Sequence, residues 1–442
     1  MKIIFLAHYF PPLNSSGARR IQSFAHYLSI MGHQITVIST KKTQRDGLLT
    51  EEIPEKVGLI QLNGFGRASS SVMPEAISHY SNGVVPNRSL IGHLLLQFKR
   101  AVAKTTGQLV DHRLVFAIQF AYPWLDESVK KALRESDIVM STSPPWPVHL
   151  AGLIVKKRFL KPWVADYRDQ FSGSHIQSGS PWFQRREVDL ECWLLKSAKA
   201  VVTISEPMKE YYQQFHHSVF CIENGYEEKL FEEVIQDNAM QSRLKNSLPT
   251  ELIVRYMGTI TADRIPLAFF KALVRVNSKS GLPVIADFYG ESNLLLKVIS
   301  QIIPEVKPFV RLCKQLPYAA AIMAMYHADA LFFIETSNFS SHSSRGVLTT
   351  KLFEYLAARK PIIAEINDQA LAASYIKRAK AGLVISEDAK EIESALLRLR
   401  EGKLNLERDE AFIQGLSRRL KAAELEKLFQ QIVNQSNDLR LT

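Results

Sequence analysis

Residues 343–366, SSRGVLTTKLFEYLAARKPIIAEI, set a glycine, Gly346, and two cations, Arg345 and Lys351, around the start of an amphipathic helix that carries one carboxylate, Glu354. Glycine permits unusual backbone angles, and the unpaired N–H groups of a helix beginning near Thr349 can hold phosphate oxygens. The spacing therefore predicts an anion site, with Arg345 and Lys351 adding charge. Leu352, Phe353, Tyr355 and Leu356 make the apolar face of the helix, and Glu354 is expected on the opposite side, about one turn past the anion-binding end. A carboxylate there is too far along to touch phosphate. It is well placed to accept the ribose hydroxyls of a bound nucleoside diphosphate. The plain alternative is a solvated glutamate on a polar face.

Other stretches carry chemistry of the same kind. In NSSGARR, Gly17 stands where backbone could approach a ligand at a helix start, or where it completes a tight turn. VADYRDQF ends an expected strand with Asp166, Arg168 and Asp169, and either carboxylate could orient or deprotonate a hydroxyl. His149, in PPWPVHL, is a second candidate base. Against these stand ordinary structural roles: a helix cap or an ion pair with Arg168 for Asp166, and a packed ring at the start of an apolar helix for His149.

The elements that must position these residues are legible as a rhythm. KIIFLAHYF, HQITVIST, DIVMSTS, PWVADYRD and AVVTIS predict buried strands separated by helical patterns, which is the signature of βαβ units and a parallel sheet. LIVRYMG, VIADFYG, ALFFIE, PIIAEI and GLVIS repeat the pattern after a polar stretch. At 442 residues the chain exceeds one ordinary core. The expected division is an N-terminal domain over 1–228 with an insertion at about 63–125, a C-terminal domain over 229–405, and a helical segment over 406–442 that packs back on the first domain. Such sheets bind ligands beyond the carboxyl ends of their strands, so two facing domains would hold a substrate between them. A dinucleotide enzyme is disfavoured, because the loop after the first strand lacks GxGxxG and GFGRAS at Gly64 neither follows a good strand nor opens a helix.

Composition narrows the class further. With 46% hydrophobic and 22% charged residues the chain is globular, and no apolar run is long enough to span a membrane. The start MKIIFLAHYF lacks a signal-peptide pattern and predicts a buried strand. Three scattered cysteines, Cys192, Cys221 and Cys313, suit a reducing cytoplasm and make neither a disulfide framework nor a zinc site. The formal net charge of +11 favours acidic partners. In PNRSLIGHLLLQFKRAVAKTT, from Pro86 to Thr106, a helix would align Ile91, Leu94, Leu95, Phe98 and Val102 on one stripe and His93, Gln97, Arg100 and Lys104 on another. That pattern suits either an anionic membrane surface or a core helix with a basic face.

Taken together, FPPLNSSGARR…LSIMGHQITVIST, STSPPWPVHLAGLIVKKRF, PWVADYRDQF, VVTISEPMKEYY, IENGYEEKLF, YMGTI and SSRGVLTTKLFEYLAARKPII resemble glycosyltransferase family 4 nearly end to end. The resemblance implies the GT-B fold, two doubly wound Rossmann-like domains facing a central cleft, with a C-terminal helix. It implies transfer of a sugar from a nucleotide diphosphate held by the C-terminal domain to an acceptor held by the N-terminal one, with retention and without a metal or other cofactor. Glu354 matches the family's second motif glutamate, which holds the donor ribose. The first glutamate's position is Gly346, so donor sugar contacts would come from the amides of Gly346, Val347 and Leu348. Arg264, after YMGTI, matches the basic residue at the diphosphate, and Gly17 matches the N-terminal glycine loop. Arg264, Lys351 and the helix amides at Thr349 would stabilise the departing diphosphate, and no Asp-x-Asp metal motif is present.

The sequence thus predicts a cytoplasmic transferase, peripheral to the inner face of the plasma membrane, acting on a lipid-linked or cell-surface polysaccharide acceptor and not on nucleic acid. A sugar-nucleotide epimerase of the same fold and a catalytically dead sugar-nucleotide-binding homologue are the rivals.

Overall fold

The computed structural model describes residues 1–44, 46, 47, 49–62, 101, 102, 104–174, 179–241, 250–290, 293–335 and 342–441. Gly64 and the run from Pro86 to Arg100, with most of the expected insertion, lie outside the described residues. The chain forms two compact units: 1–224 with 342–346 and 419–441, and 225–335 with 347–418. The chain passes from the first unit to the second after Asn224. The loop 343–349 is divided between them, with Gly346 in the first and Val347 in the second.

The first unit is built on a seven-stranded sheet of β1 (Lys2–Ala7), β2 (Gln34–Thr40), β3 (Val57–Leu62), β4 (Ile138–Ser143), β5 (Trp163–Tyr167), β6 (Ala200–Thr203) and β7 (Val219–Cys221). Its order is β3-β2-β1-β4-β5-β6-β7, with every pair parallel. The second unit holds β8 (Leu252–Met257), β9 (Val284–Tyr289), β10 (Val310–Cys313), β11 (Ala330–Ile334), β12 (Ile362–Glu365) and β13 (Gly382–Ile385), in the order β10-β9-β8-β11-β12-β13, also parallel. Both sheets reverse direction of growth at one point, between β1 and β4 and between β8 and β11. Adjacent crossovers leave on opposite faces there, which opens a crevice at the carboxyl ends of the strands.

Six helices position the residues at issue: α1 (Ser16–Ile30), α2 (Pro147–Phe159), α3 (Glu206–Gln213), α4 (Leu267–Asn277), α5 (Thr350–Ala357) and α6 (Arg418–Leu441). β1 shows why the central strands read as unbroken apolar runs. Ile3, Phe5 and Ala7 enter one core with Ile21 and Phe24 of α1 and with Leu425, Phe429 and Ile432 of α6. Ile4 and Leu6 enter the opposite core with Val148 and Val155 of α2. A parallel strand covered on both faces has no polar side to show. Burying each of the larger side chains contributes roughly 1.5–3 kcal/mol.

β3, β7 and β10 were not predicted. All three are outermost in their sheets and only partly buried, so they lack the apolar run that marks the central strands. Among the described residues no helix is long and apolar enough to cross a membrane.

Candidate active site

The second unit gathers a set of polar groups at the β8/β11 switch point. β8 ends at Met257, and Gly258, with φ of +128°, turns the chain into a loop whose 3-10 turn, Ala262–Arg264, delivers Arg264. β11 ends at Ile334, so Glu335 stands just past the strand with 6% of its surface exposed. Thr349 opens α5 and donates its hydroxyl to Glu335 Oε1 at 2.7 Å. Lys351, in the first turn of α5, donates to Tyr256 Oη at 3.0 Å and to the Ile334 carbonyl at 3.2 Å. Its ammonium lies over the rings of Tyr256, at 4.5 Å, and Phe333, at 5.2 Å. A strut fixes α5 to the sheet: the Met257 amide donates to the buried Tyr355 hydroxyl at 2.7 Å.

The electrostatics favour an anion here. Burial raises the Glu335 carboxyl above its ordinary range, opposed by Lys351, the Thr349 hydroxyl and Arg264. Among the described residues Arg264 Nε is buried without a hydrogen-bond partner, and Asp263 Oδ2 lies 3.7 Å away, in ion-pair range but beyond hydrogen-bond reach. A buried guanidinium N–H lacking an acceptor costs free energy that an incoming oxyanion would recover. The start of α5 is open in the same sense. Thr349 makes no side-chain cap bond and the first turn holds no acidic residue. α4 differs, because Glu365 Oε2 already accepts from the Phe269 amide at 3.1 Å, with its carboxyl pushed up to about 7 by burial.

Glu354 is placed differently from expectation. It is buried, with 8% of its surface exposed, in a helix whose residues Leu352 to Ala357 are all buried. The plain reading as a solvated glutamate is therefore excluded. Arg345 is exposed at the end of the four-residue helix His342–Arg345. The Gly346 carbonyl accepts from Ser205 Oγ at 2.9 Å, and a Cβ at Gly346 would stand 3.0 Å from that hydroxyl and 3.4 Å from Pro207 and Met208 of α3. Val347 is half-buried, and Leu348 sends its side chain into the second unit's core.

In the first unit, two expectations are corrected. Asp166, on β5, is fully buried and does not stand at an open edge. Oδ1 accepts from Arg20 Nη2 at 2.9 Å and Nε at 3.2 Å, and Oδ2 accepts from Thr142 Oγ1 at 2.8 Å. Arg20 donates onward to the carbonyls of Ile222 and Glu223. No lone pair of Asp166 is left facing an acceptor hydroxyl. His149 is equally enclosed: Nδ1 lies 2.7 Å from Ser141 Oγ, which itself accepts from Trp163 Nε1, and the ring packs 4.3 Å from Tyr167. Burial lowers its pKa to about 3, too low for an effective base near neutral pH.

Gly17 also has a packing explanation. Its carbonyl accepts from Arg168 Nη1, and a Cβ would stand 2.7 Å from that nitrogen. Ser15 already caps α1, accepting from the Ala18 amide at 3.2 Å. The structure thus brings together Arg264, Thr349 and Lys351, adds Glu335, and leaves Gly17, Gly346, Asp166 and His149 in separate packing roles. Glu335 escaped the sequence reading although it had a signal: one carboxylate ending the otherwise apolar ALFFIE.

Solved structures share this architecture over the whole chain. A glycosyltransferase from Rickettsia africae is 16% identical across 98% of this chain and 98% of its own, with a TM-score of 0.58. The α,α-trehalose 6-phosphate synthase of Burkholderia multivorans is 10% identical across 100% and 98%, with a TM-score of 0.61. Anabaena HepE, crystallised with UDP and glucose, is 13% identical across 100% of both chains, with a TM-score of 0.53. No family model and no curated protein matches the sequence. At these identities the likeness establishes the fold, the two-sheet α/β architecture called GT-B.

Proposed function

We propose that the protein is a glycosyltransferase that binds a sugar nucleotide through its second unit. The observation that carries this reading is the buried Arg264 Nε, which has no hydrogen-bond partner among the described residues, acting with Lys351 on Glu335 near the uncapped start of α5, at the carboxyl ends of β8 and β11. The diphosphate takes the Arg264 guanidinium, the Lys351 ammonium and the α5 amides, and Glu354 takes the ribose hydroxyls. Amides of Val347 and Leu348 contact the donor sugar. HepE binding UDP and glucose on the same fold supports the nucleotide class.

In transfer, the bond between the anomeric carbon and the diphosphate oxygen breaks as negative charge grows on the leaving group. Arg264 and Lys351 stabilise that charge, so no metal is required of the site. The acceptor hydroxyl oxygen bonds to the anomeric carbon, and its proton passes to the departing phosphate oxygen. Neither Asp166 nor His149 takes that proton, because the first has both oxygens engaged and the second is too weakly basic. Delivery from the leaving-group side gives retention. The acceptor is a lipid-linked or cell-surface saccharide, and the basic segment from Pro86 to Thr106 docks the enzyme on the inner, anionic face of the membrane.

The test is hydrolysis of a panel of UDP-, GDP- and ADP-sugars, since transferases leak donor to water. One donor is expected to be hydrolysed, and Arg264→Ala is expected to lower that rate by about 10²–10³-fold. Binding of a sugar nucleotide without hydrolysis or transfer would favour the catalytically dead homologue, and interconversion of the sugar without release would favour an epimerase.

A further inference from the structure

A second group of cations lies at the carboxyl ends of β1 and β2, in the first unit. His8 follows β1 directly, and Lys42 stands two residues past β2. Lys42 Nζ donates to Thr40 Oγ1 at 2.7 Å and lies 3.3 Å from His8 Nε2. His8 Nδ1 in turn lies 3.1 Å from Thr40 Oγ1. An ammonium has three protons. Two are accounted for, and the third has no acceptor among the described residues. Lys42 is 8% exposed and makes no ion pair among them.

Tyr9 organises the remaining members. Lys42 Nζ is 5.6 Å and the Arg168 guanidinium 5.8 Å from its ring, Arg113 Nη1 donates to its hydroxyl at 3.1 Å, and the His8 ring meets its edge at 4.8 Å. Arg113 is forked onto Asp111, and Arg168 donates to the carbonyls of Gly17 and Pro144. Among the described residues Arg168 Nε is buried without a hydrogen-bond partner. The cluster therefore holds two buried cationic N–H donors that lack acceptors among the described residues, around one aromatic ring, at the end of a parallel sheet where such folds take ligands. Burial, then Arg113, lowers Lys42 to about 8, with Asp46 opposing; burial, then Lys42, Arg113, His112 and Arg168, lowers His8 well below its ordinary value. Like charges crowded out of water are the state an anion relieves.

We propose that His8, Tyr9, Lys42, Arg113 and Arg168 form a phosphoryl-binding site that anchors a phosphorylated acceptor. The proposal rests on the transferase reading, in which the first unit receives the acceptor. The shared chemistry is a phosphate ester, whose oxygens accept from Lys42 Nζ and Arg168 Nε. Its source is either a soluble sugar phosphate or a lipid phosphate.

The experiment is calorimetric titration of inorganic phosphate into the full chain pre-saturated with UDP, for the native protein, Lys42→Met and Arg113→Gln, with folding followed by circular dichroism. Native protein is expected to bind phosphate, at least tenfold more tightly than either variant. Binding is expected to weaken as pH rises above about 8, because Lys42 loses its proton while Arg113 and Arg168 keep theirs. The groups facing Lys42 are His8, Tyr9, Asp46 and Arg113; His112 and Arg168 act on His8, and Asp111 is paired with Arg113. Co-sedimentation with phosphatidic acid against phosphatidylcholine vesicles separates the sources: Lys42-dependent retention on phosphatidic acid alone assigns a lipid phosphate. Phosphate and vesicle binding equal in native and variant proteins, or absent from both, overturns the proposal. A chain that binds UDP but shows no Lys42-dependent phosphate binding loses this site and keeps the donor reading. The converse result keeps this site and removes the donor reading.

Discussion

Glu354 and His149 are both buried ionisable residues, yet the structure gives them opposite expectations. Glu354 is buried in the helix that begins beside Thr349 and carries Lys351, and the proposed reading gives it the ribose hydroxyls. Glu354→Gln loses charge-assisted hydrogen bonds worth roughly 1.5–3 kcal/mol, so affinity for the nucleotide is expected to fall about 10- to 100-fold by calorimetry. Unchanged affinity would return Glu354 to a packing role. His149, by contrast, contributes to stability. Its folded pKa, about 3, lies below the unfolded value of 6.5, so the unfolded chain binds the extra proton between those values. Its contribution is complete above about 6.5 and is lost as pH falls toward 3. His149→Gln is expected to flatten that part of the stability profile in urea titrations, while leaving donor hydrolysis at pH 7.5 within a few-fold of native. A large loss of hydrolysis in a folded variant would restore a catalytic role.

At the scale of elements, Arg20 and Asp166 tie α1 to β5 and to the strand-end carbonyls of residues 222 and 223. Removing one partner leaves an uncompensated buried charge, so Arg20→Met is expected to cost about 3–5 kcal/mol in denaturant unfolding. A loss under 1 kcal/mol would show that the pair is not a structural tie. Gly152 is a second constraint, because a Cβ there would stand 2.2 Å from Trp163 Nε1. The central strands of both sheets were legible because two buried faces demand continuous apolar residues; β3, β7 and β10 were not because a sheet edge relaxes that demand, while β13, also at an edge, was legible from the apolar run 383–385. The candidate site was legible in part for a related reason. Cations and a helix start announce an anion site by residue type, which singled out Thr349 and Lys351, whereas Arg264 came from the family resemblance. A glycine does not say what approaches it. At Gly17 the neighbour is Arg168 and at Gly346 it is Ser205, where a ligand was expected.

For the whole molecule, the charge of +11 predicts attraction to anionic surfaces that salt weakens. If the run from Pro86 to Thr106 carries that attraction, each cation contributes about 1 kcal/mol near an anionic bilayer. Replacing Arg100 and Lys104 by Glu is then expected to abolish co-sedimentation with phosphatidylglycerol vesicles at low salt. Equal sedimentation of native and substituted protein would place the attraction elsewhere. Lys42 adds a distinct signature. Its folded pKa is below its unfolded value of 10.5, so its destabilising effect is full below about 8 and disappears as pH rises to 10.5. Native protein is expected to gain stability relative to Lys42→Met over that window.

The packing of α6 against β1 also bears on biosynthesis. Phe5 and Phe429 face each other at 6.5 Å, yet Phe429 leaves the ribosome long after Phe5. At ~5–20 residues per second the apolar face of β1 waits roughly 20–90 s for its cover. The second unit, whose last described residue is Arg418, is complete sooner. Folding order is thus expected to invert chain order, with the later-made unit becoming protease-resistant first. Chains stalled with residue 418 outside the exit tunnel should protect 225–418 while 1–224 is still cleaved, and chains released at full length should protect both.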